Sequence, residues 1–103
     1  MKPQQKELFY KKLGENIAKA RSETKVTQAE LAEKTGLSRT TITNIERGRQ
    51  KPSFLAVQLI AEKLGKNLDK LKPTPDKFID IQEASEQLIE NSIKGQDYND
   101  PNL

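Results

Sequence analysis

The chain has 103 residues, of which 33% are hydrophobic, so it can form one domain with a modest core. It contains no cysteine and no histidine, which excludes disulfide bonds, thiolate metal ligands and the commonest general base. We therefore expect no enzyme, no cofactor and no metal, and, because no apolar stretch suffices for a membrane span or secretory signal, a cytoplasmic protein.

The net charge of +3 is divided unevenly along the chain. Residues 1–53 hold 12 basic and 6 acidic side chains, whereas residues 72–103 hold 3 basic and 7 acidic ones. The basic half is where a polyanion would bind. Most charged side chains only keep a surface solvated. The excess of basic residues is therefore weak evidence until the fold shows whether they lie on one face.

Hydrophobic spacing and helix-capping residues predict five short helices. The first runs over about residues 5–23. Phe9, Leu13 and Ile17 recur every fourth residue, with lysines on the other side of the helix. This is the pattern of an amphipathic helix that packs on a core.

The second helix is predicted over residues 28–35. Thr27 can cap its backbone N–H groups, and Glu30 can accept a hydrogen bond in return, which makes a capping box. Gly36 supplies the left-handed conformation that ends a helix. The chain therefore turns sharply at this glycine.

The third helix is predicted over about residues 39–47. As in the second helix, a hydroxyl residue, Ser38, caps its start and a glycine, Gly48, ends it. Ile42 and Ile45 would face the core. The outward face carries polar and basic side chains: Arg39, Thr40, Thr43, Asn44 and Arg47. The prediction is a short helix with one face available to a partner.

Two more helices are predicted, over about residues 54–64 and 68–71, the latter capped by Asn67. The expected buried stripe of the fourth helix is Phe54, Val57, Ile60, Ala61 and Leu64. Pro73 follows the fifth helix, and proline cannot continue a helical hydrogen-bond ladder. We place the boundary of the domain there, after residue 72.

Residues 73–103 form an acidic tail with a possible helix over about residues 80–94. The start of this segment could instead be a short strand, because its apolar residues also alternate. The end of the tail is expected to be partly disordered.

Residues 28–47 resemble the twenty-residue helix-turn-helix of the phage repressor and Cro family, also called the xenobiotic-response-element (XRE) family. The resemblance covers roughly residues 13–71. It is carried by Thr27-Gln28-Ala29-Glu30-Leu31-Ala32, Gly36-Leu37, Ile42, Ile45-Glu46-Arg47-Gly48 and Lys51-Pro52-Ser53. The resemblance implies an all-α, five-helix repressor-like domain whose third helix enters the major groove of DNA.

The resemblance also implies which residues contact the bases. Arg39 matches a position that can form two hydrogen bonds with a guanine edge, and Asn44 one that can do so with adenine. The methyl group of Thr40 can pack on a thymine methyl group. A good bidentate pair contributes about 1 to 3 kcal/mol of discrimination between bases.

The candidate contacts to the DNA backbone are Thr27, Gln28, Ser38, Thr43, Arg47, Arg49 and Lys51. Gln28 resembles the family's glutamine that binds a phosphate and braces the third helix. Thr27 and Ser38 are caps whether or not DNA binds. Arg47 and Lys51 could instead be solvated charges near helix ends.

Three further positions bear on the resemblance. Glu46 would repel phosphate, and the family pairs this acid with the arginine that falls at Arg21 here, so we hypothesise a largely buried ion pair. Lys25 stands where the family often has glycine. Lys66 replaces a usually apolar residue before the last helix.

Family members generally act as two-fold dimers on palindromic operators, with half-sites about 34 Å apart. Leu55 and Leu59 lie one turn apart on the fourth helix and could form that interface, with help from Ile81, Leu88 and Ile89 in the tail. The alternative is that Leu55 and Leu59 are ordinary surface residues.

The sequence as a whole predicts a sequence-specific, double-stranded DNA-binding transcriptional regulator, most simply a repressor that works as a homodimer. The alternative is an antitoxin or adaptor, whose helical domain binds DNA while the acidic tail binds a protein partner. RNA binding is disfavoured, because the sequence offers no aromatic platform for stacking bases.

Overall fold

The structure is a computed structural model that describes residues 2–75. Over this range the chain forms five helices and no strand, so the all-helical prediction is confirmed. The helices are α1 (Pro3–Glu23), α2 (Gln28–Thr35), α3 (Arg39–Glu46), α4 (Phe54–Lys63) and α5 (Leu68–Leu71). The possible helix at 80–94 and the rest of the tail after residue 75 lie outside the described residues.

The two ends of α1 are held by local hydrogen bonds. Near its start, the backbone N–H of Lys2 donates to Oε1 of Gln5 over 2.9 Å. At its end, the hydroxyl of Thr24 donates to the carbonyl of Ala20 over 3.0 Å. Lys25 then takes a left-handed conformation, with φ at +58°. A non-glycine residue there costs about 1 to 2 kcal/mol, so the departure from glycine strains this turn.

The capping box of α2 is present in full. The backbone N–H of Glu30 donates to Oγ1 of Thr27, and the N–H of Thr27 donates to Oε1 of Glu30, each over 3.0 Å. These hydrogen bonds to Thr27 lower the pKa of Glu30, so its carboxylate stays charged in mild acid. Gly36 ends the helix with φ at +79°.

The start of α3 depends on Ser38, whose Oγ accepts the backbone N–H of Thr41 over 3.0 Å. The helix ends at Glu46, one residue before the predicted end, because Arg47 is its C-cap and Gly48 has φ of +73°. Ser53 caps α4 in the same way by accepting the N–H of Ala56.

All five helices contribute to one hydrophobic core. The side chains that are essentially inaccessible to solvent are Ile17, Leu31, Ile42, Ile45, Ile60 and Leu71. Burial of each contributes about 1.5 to 3 kcal/mol. Ile42 and Ile45 anchor the inner face of α3 in this core, which leaves its other face outside.

The prediction that Phe54 belongs to the buried stripe of α4 is wrong. Phe54 is 69% exposed, and burial begins at Ala56 and Val57 instead. Phe54 has the correct spacing from Val57 for a buried position, but it lies in the first turn of the helix. Helical spacing alone therefore does not decide burial at this position.

The short helix α5 packs against α1 although Lys66 precedes it where an apolar residue is usual. Leu71 is fully buried, and its carbonyl oxygen accepts a hydrogen bond from Nδ2 of Asn16 over 2.8 Å. Lys66 forms an ion pair with Glu23, with 3.6 Å between Nζ and Oε1. The unusual lysine is thus accommodated at the surface without disturbing the packing of α5.

Candidate nucleic-acid interface

The outer face of α3 presents polar side chains that the protein itself does not use. Arg39 and Thr40 are exposed, and Asn44 is half-buried. Within residues 2–75, no side-chain hydrogen bond or ion pair engages any of the three. Their donors and acceptors are therefore available to an external partner.

A bridge from α2 braces this helix. Nε2 of Gln28 donates to Oε1 of Glu46 over 3.0 Å, and the hydroxyl of Thr43 donates to Oε1 of Gln28 over 3.1 Å. One amide group thus joins the first turn of α2 to the middle and the end of α3. Because the only hydroxyl hydrogen of Thr43 is used in this bridge, Thr43 would have to give it up to donate to a phosphate.

The hypothesised ion pair between Arg21 and Glu46 is confirmed. Nε of Arg21 lies 2.7 Å from Oε2 of Glu46, and Nη2 lies 3.0 Å from Oε1. Nη1 of the same guanidinium donates to the carbonyl of Val26 over 3.0 Å. The side chain of Glu46 is 6% exposed and that of Arg21 is 20% exposed.

This ion pair reduces the repulsion that Glu46 would otherwise exert on an anionic partner. The hydrogen bond from Arg21 to Glu46 raises the pKa of the arginine, so the guanidinium stays charged and compensates the carboxylate. The only acid in α3 is therefore turned inward and neutralised. Its repulsion of a phosphate outside is correspondingly small.

Gly14 allows α1 to pass directly across the end of α3. A Cβ atom at this position would overlap the carbonyl oxygen of Ile45 and lie 2.5 Å from that of Glu46. Sequence reasoning did not single out Gly14. The available signal was a glycine in the interior of a predicted helix, a position where glycine is unfavourable unless close packing requires it.

The predicted backbone-contact residues surround α3 on two sides. Thr27 and Ser38 are exposed caps, and the hydroxyl of Ser38 also donates to Oγ1 of Thr41 over 2.8 Å. Arg47 and Arg49 are exposed in the loop between α3 and α4. Hydroxyl groups thus lie at the starts of α2 and α3, and basic groups lie after the end of α3.

Lys51 is exposed in the same loop, and its Nζ lies 5.7 Å from the centroid of the Tyr10 ring. This is a cation–π contact, which orders the lysine without neutralising its charge. Tyr10 in turn stacks on Phe9, with 5.0 Å between the ring centroids.

Lys25 is a candidate that the sequence analysis did not assign to the interface. It lines a groove of about 670 Å³ next to α3, together with Thr27, Gln28 and Arg39. Lys25 is exposed and shares this groove with these three predicted DNA-binding residues. A basic residue two positions before the Thr27 cap was the signal that could have identified it.

The candidate dimer residues differ in exposure. Leu55 is 66% exposed, Leu59 is half-buried, and Phe54 adds a second large apolar side chain beside Leu55. The three candidates in the tail, Ile81, Leu88 and Ile89, lie outside the described residues. Phe54, which was expected in the core, thus adds to the exposed apolar surface next to Leu55.

Residues 2–75 offer neither a metal site nor a membrane span. This range contains no group of three or more acidic side chains arranged to hold a metal ion. None of its helices combines the length and apolar character required to cross a membrane.

Comparison with known proteins identifies the family. The helix-turn-helix family model matches residues 17–71, more than half of the chain. The immunity repressor protein of Bacillus phage phi105 is 43% identical over 53 residues, which are 52% of this chain and 37% of the repressor. An uncharacterized HTH-type transcriptional regulator of Methanothermobacter thermautotrophicus is 44% identical over 50 residues, 48% of this chain and 72% of that protein.

A solved structure shows the same arrangement of helices. The restriction-modification controller protein C.AhdI from Aeromonas hydrophila superimposes with a TM-score of 0.59 at 26% identity. The match covers 60% of this chain and 94% of C.AhdI. The match with the phage repressor spans only 37% of the length of that protein.

The chain thus belongs to the helix-turn-helix family of transcriptional regulators of the phage repressor and Cro type. The resemblance seen in the sequence is confirmed, and α2 and α3 are the two helices of the motif.

Proposed function

We propose that the protein binds double-stranded DNA sequence-specifically by inserting α3 into the major groove, and that it represses transcription from the bound operator. The observation that carries the proposal is the unused polar face of Arg39, Thr40 and Asn44 on a helix that is braced from behind. An α-helix fits the major groove of DNA, where each base pair presents a distinct set of donors and acceptors. The similarity to a phage immunity repressor supports repression as the outcome.

The three side chains have different expected roles. The guanidinium of Arg39 has the fork geometry for O6 and N7 of guanine, and the amide of Asn44 suits N6 and N7 of adenine. Thr40 supplies a methyl group for thymine. Gln28 and Arg21 hold Glu46, and with it the end of α3, in place. The backbone that carries the three side chains is therefore already ordered before DNA binds.

The surrounding basic and polar groups would provide sequence-independent affinity. We assign phosphate contacts to Arg47, Arg49 and Lys51 on one flank of α3. On the other flank the candidates are Thr27, Gln28, Ser38 and Lys25. Thr43 contributes mainly through its hydrogen bond to Gln28. Such contacts determine the position of the protein on the duplex and the salt dependence of binding, but they do not distinguish one base sequence from another.

We further propose that two copies bind a palindromic operator. One eight-residue helix contacts few base pairs, so a second half-site is needed for useful specificity. The exposed patch of Phe54 and Leu55, with Leu59 beside it, is the candidate interface. An interface with two-fold symmetry would use this same patch on both copies.

Selection of bound sequences from a random duplex pool tests the proposal. We expect a palindrome to be enriched, and we expect Arg39→Ala to relax one symmetric pair of positions by about 1 to 3 kcal/mol. Lys63→Ala is the control, since Lys63 lies on α4 and pairs with Glu62. Failure to enrich any sequence, with no duplex bound at low salt, would contradict the proposed function.

A further inference from the structure

The N-terminal half of α1 packs against the loop that follows α3, although it lies outside the residues that match the family. The matched region begins at residue 17, whereas α1 begins at Pro3. Gly48 touches this part of the helix so closely that a Cβ would lie 2.8 Å from the Cα of Lys11. The loop and the start of α1 therefore form one continuous surface.

A cleft of about 340 Å³ lies between these two segments. The residues that line it are Pro3, Lys6, Glu7, Tyr10, Gly48, Arg49 and Lys51. Three of them are cationic and one is anionic. Of the charged groups, neither Lys6 nor Arg49 nor Glu7 forms an ion pair with another residue in the range 2–75.

Three cations against the one carboxylate of Glu7 leave an excess of positive charge at the cleft, which favours an anionic ligand. Unpaired cations around one cleft repel each other, and an anion between them converts that repulsion into attraction. Lys51 is held at the cleft by the ring of Tyr10 and has ammonium hydrogens left for an acceptor outside. The cleft thus offers several cationic donors to a ligand such as a phosphate.

We propose that this cleft binds a phosphate of the DNA backbone, with Lys6 as the contact that α1 contributes. The inference rests on the proposed function, because α3 must lie in the groove for the loop to reach DNA. The loop leaves α3 directly after Glu46, so a helix in the major groove brings Arg49 and Lys51 to the adjoining backbone. Lys6 shares their cleft and extends the contact beyond the helix-turn-helix motif.

The test is the salt dependence of binding to the selected operator, measured by fluorescence anisotropy. We expect Lys6→Gln to reduce the slope of log K against log salt by about 0.9 for each phosphate that the protein no longer neutralises. At 0.1 M salt this corresponds to a reduction in affinity of up to about eight-fold. Lys6→Arg keeps the charge and should retain most of the affinity.

The matched control is Lys19→Gln, on the same helix and also exposed. Lys19 borders a different depression, which is lined by Asn16, Lys66 and Lys70. We expect this variant to bind like the parent protein. Circular dichroism of both variants checks that the helical content is unchanged.

Two results would overturn the inference while leaving the proposed function intact. In the first, Lys6→Gln binds the operator with the affinity and salt slope of the parent protein. In the second, Lys19→Gln weakens binding as much as Lys6→Gln does, so that only net charge matters. If the parent protein binds no duplex at all, the proposed function and the inference fail together.

Discussion

At the scale of single residues, Glu46 shows how an acid is accommodated in a helix that carries a DNA-binding face. Its carboxylate receives hydrogen bonds from Arg21 and from Gln28, and its side chain is buried. Removal of Arg21 leaves the buried carboxylate of Glu46 without its cationic partner. The pair is therefore needed for structural integrity even if its formation adds little net stability.

We expect Arg21→Ala to lower the free energy of unfolding by about 2 to 4 kcal/mol, slightly below the range for fully buried pairs because Arg21 is partly exposed. Chemical denaturation measures the effect. In the double variant Arg21→Ala with Glu46→Ala, the decrease should be smaller than the sum of the two single decreases. An unchanged midpoint for Arg21→Ala would refute the structural role of the pair.

Lys25 adopts a backbone conformation that is unfavourable for a residue with a side chain. With φ at +58° it lacks the freedom that glycine has in the left-handed region. The residue lines the groove together with Gln28 and Arg39. The strain is accordingly located next to the candidate interface, where sparsely populated backbone conformations are often found.

We expect Lys25→Gly to raise the free energy of unfolding by up to about 1 kcal/mol, since relief of the strain outweighs the added entropy of the unfolded chain. Lys25→Ala is the control, because it removes the same charge but keeps the strained backbone. Thermal unfolding of the two variants distinguishes the effects. A glycine variant less stable than the alanine variant would show that the turn is not strained.

At the scale of elements, α3 owes its stability to its surroundings. A helix of eight residues is too short to be stable alone in water. The cap at Ser38, the buried Ile42 and Ile45, and the bridge through Gln28 each hold a different part of it. The residues of the polar face therefore do not have to stabilise the helix and can serve to contact a partner.

We expect Gly14→Ala to destabilise the protein by about 1 to 3 kcal/mol, because the new methyl group would separate α1 from the end of α3. Helix propensity alone predicts the opposite, a gain of about 0.5 to 1 kcal/mol. Ser22→Ala, at an exposed position of the same helix, should change stability by less than about 0.5 kcal/mol. If Gly14→Ala stabilises the protein in urea denaturation, the close contact of the two helices is wrong.

At the scale of the whole molecule, the candidate DNA-binding groups and the exposed Phe54 and Leu55 lie on different elements within residues 2–75. The candidate base contacts lie on α3 and several candidate phosphate contacts lie in the loop after it, whereas Phe54 and Leu55 are exposed in the first turn of α4. Large apolar side chains exposed side by side often mark an interaction site. This separation would allow DNA binding and self-association to occur at different surfaces.

We expect Leu55→Glu to weaken self-association at least ten-fold, because two symmetry-related carboxylates would be brought together in an apolar contact. Sedimentation equilibrium at tens of micromolar measures the change. Leu8→Glu is the control, since Leu8 is also an exposed leucine but lies on α1. A parent protein that is monomeric under these conditions would contradict the proposed dimer.

Local features of the fold followed from the sequence because they depend on residues within one helical turn of each other. Thr27 and Glu30 are three positions apart, and Ser38 caps a backbone group three positions on. The left-handed end of α2 needs only Gly36. The ion pair of Arg21 with Glu46 spans 25 positions, and it was predicted only because the family resemblance placed the two residues together.

Other features were decided by the way in which the helices cross. The bond of Asn16 to Leu71 across 55 positions and the exposure of Phe54 have no signature in local spacing. The position of Gly14 inside a helix indicates close packing but not which helix it contacts. The sequence by itself determined the helices, their caps and the polar composition of α3. Only the tertiary structure decided which polar groups are used internally and which remain available, because hydrogen bonding between distant residues requires their helices to be packed first.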